Sequence, residues 1–282
     1  MMNLSQKQKR NGKRTLLTVL MAVLAVIYIY PIILMAVNSV KPFGEVVLDV
    51  IALPSKIEWS NYTYVIDKMK YGRLFINNVI ITVIGIVGII VFSSMSAYIL
   101  SRKKNRYTKI AAFLIITPML IPFQTIMITL LKVMNVIHLS GSRIGLGVQY
   151  WGFGIPMAAF IYSNFMSSIP REIDESAYID GAGVFRTFCY IIFPLLKSVT
   201  FTVIVIDVMW IWNDFLLPLL MVNSSNETKT LVLSAYTFVG QFNTQWHYAM
   251  AAMMLAILPS IVIFIVLQKY IVEGVVAGAV KG

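Results

Sequence analysis

Three residues in one apolar run carry the clearest candidate chemistry of this chain. Asp207, Trp210 and Asp214 are spaced i, i+3, i+7, so a helix places them on one stripe. A carboxylate at bilayer depth costs about 2.5–3.5 kcal/mol on insertion scales, so it must face a cavity or a partner group. An aromatic ring between two acids suits a sugar: the ring stacks on the apolar sugar face, and the carboxylates accept hydroxyl hydrogen bonds. Trp212 and Asn213 belong to the same cluster. The residues also fit a structural role, with Asp214 in a Trp-Asn-Asp turn at the outer interface and Asp207 against another membrane subunit.

A second constellation is polar rather than apolar. Residues 168–194 read SIPREIDESAYIDGAGVFRTFCYIIFP and are slightly acidic, with Glu172, Asp174, Glu175 and Asp180 against Arg171 and Arg186. Other chemistries have no support. The chain has no G-x-x-x-x-G-K-[ST] phosphate loop, so ATP chemistry would have to come from another chain. Cys189 is the single cysteine, and His138 and His247 are far apart, so neither a disulfide nor a metal set is expected. No clustered Ser, His and Asp suggests an enzyme. A secondary transporter would want several ionisable residues at depth, and only Asp207 is clearly there.

The elements that must carry these residues are membrane spans. The chain has 282 residues, 59% hydrophobic and 12% charged, where a soluble domain carries about 25% charged. Six apolar runs meet the span length of about 20 residues, at approximately 16–37, 75–100, 110–131, 146–167, 195–221 and 245–268. The first is too long for a secretory signal core and reads as a retained helix. Pro118 and Pro122 in the third, and Gly152, Gly154 and Pro156 in the fourth, are expected to face protein rather than lipid.

The net charge of +11 is not a nucleic-acid signature. Ten basic residues fall in two blocks beside apolar runs, Lys7 to Arg14 and Arg102 to Lys109, where they set orientation and meet lipid headgroups. Placing the N-terminus inside puts fifteen basic residues inside and eight outside, so both termini are expected inside. The expected organisation is a cytoplasmic basic tail at 1–15, a transmembrane domain at 16–282, an inner loop at 168–194 and an inner tail at 269–282. Asn61-Tyr62-Thr63 fits a weak glycosylation pattern on the outer side.

Within the inner loop, Ser168 is a candidate cap, Pro170 fits a first turn, and Glu172 and Asp174 suit the positive end of a helix at about 170–180. Gly181 is placed to close it in a left-handed conformation. A second helix is expected from Gly183 to Phe193, ended by Pro194, with Phe185, Phe188 and Ile192 as an apolar stripe. Pattern alone leaves docking and simple tethering equally open for this knob.

Glu175-Ser176-Ala177 with Ile179-Asp180-Gly181-Ala182, and Phe188, Ile191 and Pro194 downstream, resembles the EAA loop of ATP-binding-cassette importer permeases. It departs at Ser176, where alanine is typical. Trp212-Asn213-Asp214-Phe215 with Pro218, and the tail from Gln268-Lys269-Tyr270 to Gly278-Ala279-Val280-Lys281-Gly282, are similar to maltose-type sugar permeases of the MalG kind. The resemblance covers about 70–282. It implies an all-α polytopic fold of six transmembrane helices, the type I importer permease, in a bacterial or archaeal cell membrane. It implies a homologous MalF-like permease, a pair of MalK-like ATPase subunits holding ATP and Mg, and an extracellular sugar-binding protein. Glu175, Ser176, Ala177, Asp180, Gly181 and Ala182 would then couple to the ATPase, and Val280, Lys281 and Gly282 would reach between its subunits. No cofactor is implied on this chain. The substrate would be a carbohydrate, with an amino sugar, polyol or glycerol phosphate as narrower alternatives; the carboxylates disfavour an anion.

Overall fold

The computed structural model describes the backbone of residues 4–240 and 244–279, and the side chains of 12–240 and 244–269. Every regular element among them is helical. In chain order these are α1 (Leu4–Ser39), α2 (Phe43–Leu48), α3 (Ser60–Met69), α4 (Tyr71–Arg102), α5 (Arg106–Ile116), α6 (Phe123–Val136), α7 (Arg143–Met166) and α8 (Glu172–Ile179). There follow α9 (Val184–Thr187), α10 (Phe193–Leu195), α11 (Lys197–Asn213), α12 (Leu216–Met221), α13 (Leu231–Ala235) and α14 (Trp246–Ala279).

Four helices are long and apolar enough to cross a membrane: 12–39 within α1, α4, α7 and 246–269 within α14. Two more runs qualify only as bent pairs. The expected third span, 110–131, is not one helix. The segments Arg106–Leu120 and Phe123–Val136 meet at 106°. Pro118 sits in a 3-10 turn, Thr117–Leu120, and Pro122 precedes α6 with an extended backbone. Neither proline can supply the amide that would carry an α-helix through. The expected fifth span, 195–221, is broken twice. It bends by 77° between Val184–Leu195 and Lys197–Asn213, and Asp214 takes an extended backbone after α11 before α12 begins. The sixth run continues past its expected end, because the backbone stays helical to Ala279.

The chain divides into two compact units, residues 1–68 with 235–254, and residues 69–234 with 255–282. In the first, the hydrophobic window of α1 has no share buried within the chain. The loop after it is pinned by polar side chains. Lys41 is fully buried, and its Nζ donates to the Asp49 carbonyl at 2.9 Å. The Nδ2 of Asn61 donates to the carbonyls of Ser39 and Lys41 at 3.0 and 2.9 Å. Asn61 is buried and committed to this role, so the glycosylation pattern read there does not apply. Glu45 accepts from the Ser55 hydroxyl and amide, which hold its carboxyl below the ordinary range.

In the second unit α4 and α7 pack side by side. Their contacts climb together: Arg143 Nη1 donates to Asn77 at 3.2 Å, Gly85 abuts Tyr150, Gly154 abuts Ile89, and Arg102 reaches the Met166 carbonyl. The two helices therefore run parallel. Gly85, Gly88, Gly147 and Gly154 line the seam, where small residues let backbones approach. Gly154 and Pro156 are buried as expected, but Pro118, Pro122 and Gly152 are exposed within this chain.

Candidate functional site: coupling loop and membrane cavity

The inner loop folds much as its sequence predicts, with three corrections. α8 starts at Glu172 after Arg171, and no side chain caps it; Ser168 instead donates its hydroxyl to the Phe165 carbonyl. Glu172, Asp174 and Glu175 fill its first turn, where negative charge favours the helix dipole. Gly181 has φ +79°, and the Ala182 amide donates to the Ala177 carbonyl at 2.9 Å, closing the helix through a left-handed residue. The second helix does not stop at Pro194. It widens into a π turn, Phe188–Ile192, and continues through α10. The wider turn relieves the proline's clash with the carbonyl four residues before and accommodates its missing amide. Phe188 and Ile192 are buried, but Phe185 is 68% exposed and leaves the predicted stripe.

Exposure divides the loop residues. Glu175, Ser176, Asp180 and Gly181 are exposed, and Ala182 is half-buried. Ala177 is 4% exposed, so it packs inward and is no direct outer contact. A groove of about 640 Å³ beside it is walled by Ala177, Asp180, Ala182, Arg186, Tyr190 and Ile191. The residues that composition missed are large and apolar: Tyr178, Ile179, Val184 and Tyr190 project from the knob alongside Phe185. A run of exposed apolar side chains on a charged loop was the available signal, and the helical register of α8 was needed to see it.

The membrane stripe is split by the end of α11. Trp210 and Asp214 reach one cavity of about 200 Å³, shared with Phe123, Gln124, Phe153, Leu216 and Leu217. Tyr150, fully buried, donates its hydroxyl to Asp214 Oδ2 at 2.9 Å and meets the Trp210 ring edge-on at 5.3 Å. The other Asp214 oxygen accepts from the Leu216 amide at 3.1 Å. Asp214 is thus both a turn residue and a cavity wall. Asp207 is buried apart from this cavity. Trp212 is 2% exposed and donates its indole N–H to the Ala256 carbonyl at 3.1 Å, while Asn213 donates to Met209 and accepts from Ser260. Trp212 and Asn213 are helix-packing residues. Gln124, from α6, is the polar wall that the sequence reading did not single out. Val280, Lys281 and Gly282 lie outside the described residues.

Comparison with known proteins places this geometry. The profile of the family described as "Binding-protein-dependent transport system inner membrane component" matches residues 89–276. The chain is 38% identical over 274 residues to the "Probable starch degradation products transport system permease protein AmyC" of Thermoanaerobacterium thermosulfurigenes, covering 97% of this chain and 99% of that one. It is 33% identical to the "Melibiose/raffinose/stachyose import permease protein MelC" of Bacillus subtilis (strain 168), again over 97% and 99%. Its fold matches a chain of a bacterial ABC transporter involved in importing the acidic polysaccharide alginate, with TM-score 0.77, 23% identity and coverage of 96% and 99%. The chain belongs to the binding-protein-dependent transport system inner membrane component family: it is a multi-pass, cell-membrane permease subunit of an ABC importer, whose ATP is bound by a partner ATPase.

Proposed function

We propose that this chain is the MalG-like permease of an oligosaccharide importer. It would pair with a homologous MalF-like permease, receive its sugar from an extracellular binding protein and be driven by two MalK-like ATPase subunits. Its termini would lie in the cytoplasm, with a basic tail at 1–15, a permease domain at 16–282 and the loop 168–194 facing the ATPase. Lys103, Lys104, Arg106 and Lys109 would meet anionic headgroups.

The observation that carries the substrate class is Trp210 and Asp214 on one cavity wall, an aromatic face beside a hydrogen-bond acceptor. Gln124 adds donors and an acceptor to the same cavity lining. The full-length relatives named for starch products and for melibiose, raffinose and stachyose support the same class. Glu175, Ser176, Asp180, Gly181 and Ala182 are the proposed ATPase contacts, with Ala177 supporting them from beneath. Purifying the chain from its own membranes should bring down an ATPase, a second permease and a binding protein. Neutral oligosaccharides in a sugar panel should then stimulate ATP hydrolysis. Stimulation by an anionic substrate alone would overturn the oligosaccharide assignment.

The cavity itself is tested by Trp210→Ala. Loss of a stacking face worth about 1 kcal/mol should raise the half-saturating sugar concentration for uptake roughly fivefold and shift preference within the panel. Unchanged uptake and preference would remove Trp210 from the path.

A further inference from the structure

Arg102 belongs by sequence to a basic block at a membrane edge, yet its side chain is only 13% exposed. It turns away from its basic neighbours, and its Nη2 stands 2.9 Å from Asp174 Oδ2, on α8. Its Nη1 donates to the Ile169 carbonyl at 3.1 Å, in the link between α7 and α8. Tyr98, one turn earlier on α4, donates its hydroxyl to Asp174 Oδ1 at 2.6 Å. The Tyr98 ring also packs against Phe188, at 5.3 Å, on the π turn. Arg171 returns the contact, donating to the Ser101 carbonyl at 3.4 Å. Both carboxylate oxygens of Asp174 therefore meet α4, through residues 72 and 76 positions upstream and not adjacent in the chain to the loop.

We infer that Tyr98, Arg102 and Asp174 form the brace that makes the coupling loop rigid with the α4–α7 pair. The inference rests on the loop being the ATPase contact. α8 follows α7 through the short link 167–171, and inside the loop Ile173 and Ala177 give it only small apolar side chains against the core. A push on α8 would be absorbed there unless a second attachment fixed the helix angle. The brace supplies that attachment, with an ion pair from Arg102 to α8, a hydrogen bond from Tyr98 to the same carboxylate, and a hydrogen bond from Arg102 to the link. Force from ATPase closure then reaches α4 and α7 as one body instead of dissipating in the link. These are positioning residues, and none lines the cavity of Trp210 and Asp214.

The test is the ratio of sugar transported to ATP hydrolysed, in proteoliposomes holding the complete importer, with maltotriose or raffinose as probe. Arg102→Ala and Asp174→Asn should lower that ratio about tenfold or more while ATP hydrolysis continues, because each leaves the remaining partner unbraced. Arg102→Lys should recover part of the ratio, and Tyr98→Phe should lose less than Arg102→Ala. In parallel, a cysteine crosslinker at position 175 should still capture the ATPase in every variant. Capture with an unchanged transport ratio would overturn the brace. Failure of capture in the wild type would overturn the loop as ATPase contact, whatever the ratio does. Transport and hydrolysis falling in equal proportion, with Arg102→Lys no better than Arg102→Ala, would reduce the cluster to a folding role and also overturn the brace.

Discussion

Ile179→Asp should strip the ATPase from the complex while leaving the permease folded. Ile179 is 84% exposed and Tyr178 79%, side by side on the outer end of α8. Surface changes of this kind alter stability by about 0.5 kcal/mol or less when the side chain touches nothing in its own chain. An apolar anchor at the centre of an interface is different. Truncating one costs about 2 kcal/mol or more, and a carboxylate in its place must also be desolvated. The affinity of the ATPase for the membrane subunits should fall about 30-fold or more. The measurement is the amount of ATPase retained on the tagged permease through a detergent wash, alongside the melting temperature of the permease itself. Full retention with an unchanged melting temperature would mean that the ATPase docks elsewhere.

The contrast with Gly181 sharpens this expectation. A Cβ added at Gly181 meets nothing within 4 Å, so alanine there carries only the strain of its +79° φ, about 1 kcal/mol. The glycine shapes the turn, and the exposed apolar residues around it supply the larger surface that the proposed docking would use. A loop whose outer face were merely solvated would carry Lys and Glu at 178, 179, 184 and 185 rather than Tyr, Ile, Val and Phe.

The sequence made some of this legible and hid the rest for definable reasons. Four spans and the left-handed Gly181 follow from hydropathy and turn chemistry, which are local. The breaks at Pro122 and Asp214 do not, because a hydropathy window sums composition and carries no direction. Asp207, Trp210 and Asp214 share a stripe only if the helix persists, and α11 ends at Asn213. Arg102 was indistinguishable from Lys103 and Lys104 by type, and its partner lies 72 residues away on another helix. Ala177 is buried within its own chain, which its type and spacing in the motif do not reveal. The family motif at 175–182 does not separate the outward residues of its segment from the inward ones.

The seam between α4 and α7 yields the largest expected loss of stability. A Cβ at Gly88 would lie 2.0 Å from Cε2 and 2.1 Å from Nε1 of Trp151. The indole crosses α4 at that glycine and donates its N–H to the Ile84 carbonyl at 2.8 Å. Phe92 packs against it at 5.2 Å, with the two rings tilted by 55°. Gly88→Ala must therefore either push the helices apart or expel the ring. Overpacking costs about 1–3 kcal/mol, and a stranded indole N–H away from water adds about 1–3 kcal/mol more. Gly152→Ala is the matched control, since its Cβ meets nothing within 4 Å. The melting temperature of the detergent-solubilised permease should drop sharply for Gly88→Ala and hold for Gly152→Ala. Adding Trp151→Leu to Gly88→Ala removes the obstructing ring, so the double variant should be more stable than the sum of the single losses by about 1–2 kcal/mol. Strict additivity would show that the helices already stand far enough apart to accept a methyl group. The close approach that keeps α4 and α7 moving as one piece would then have to come from elsewhere in the seam.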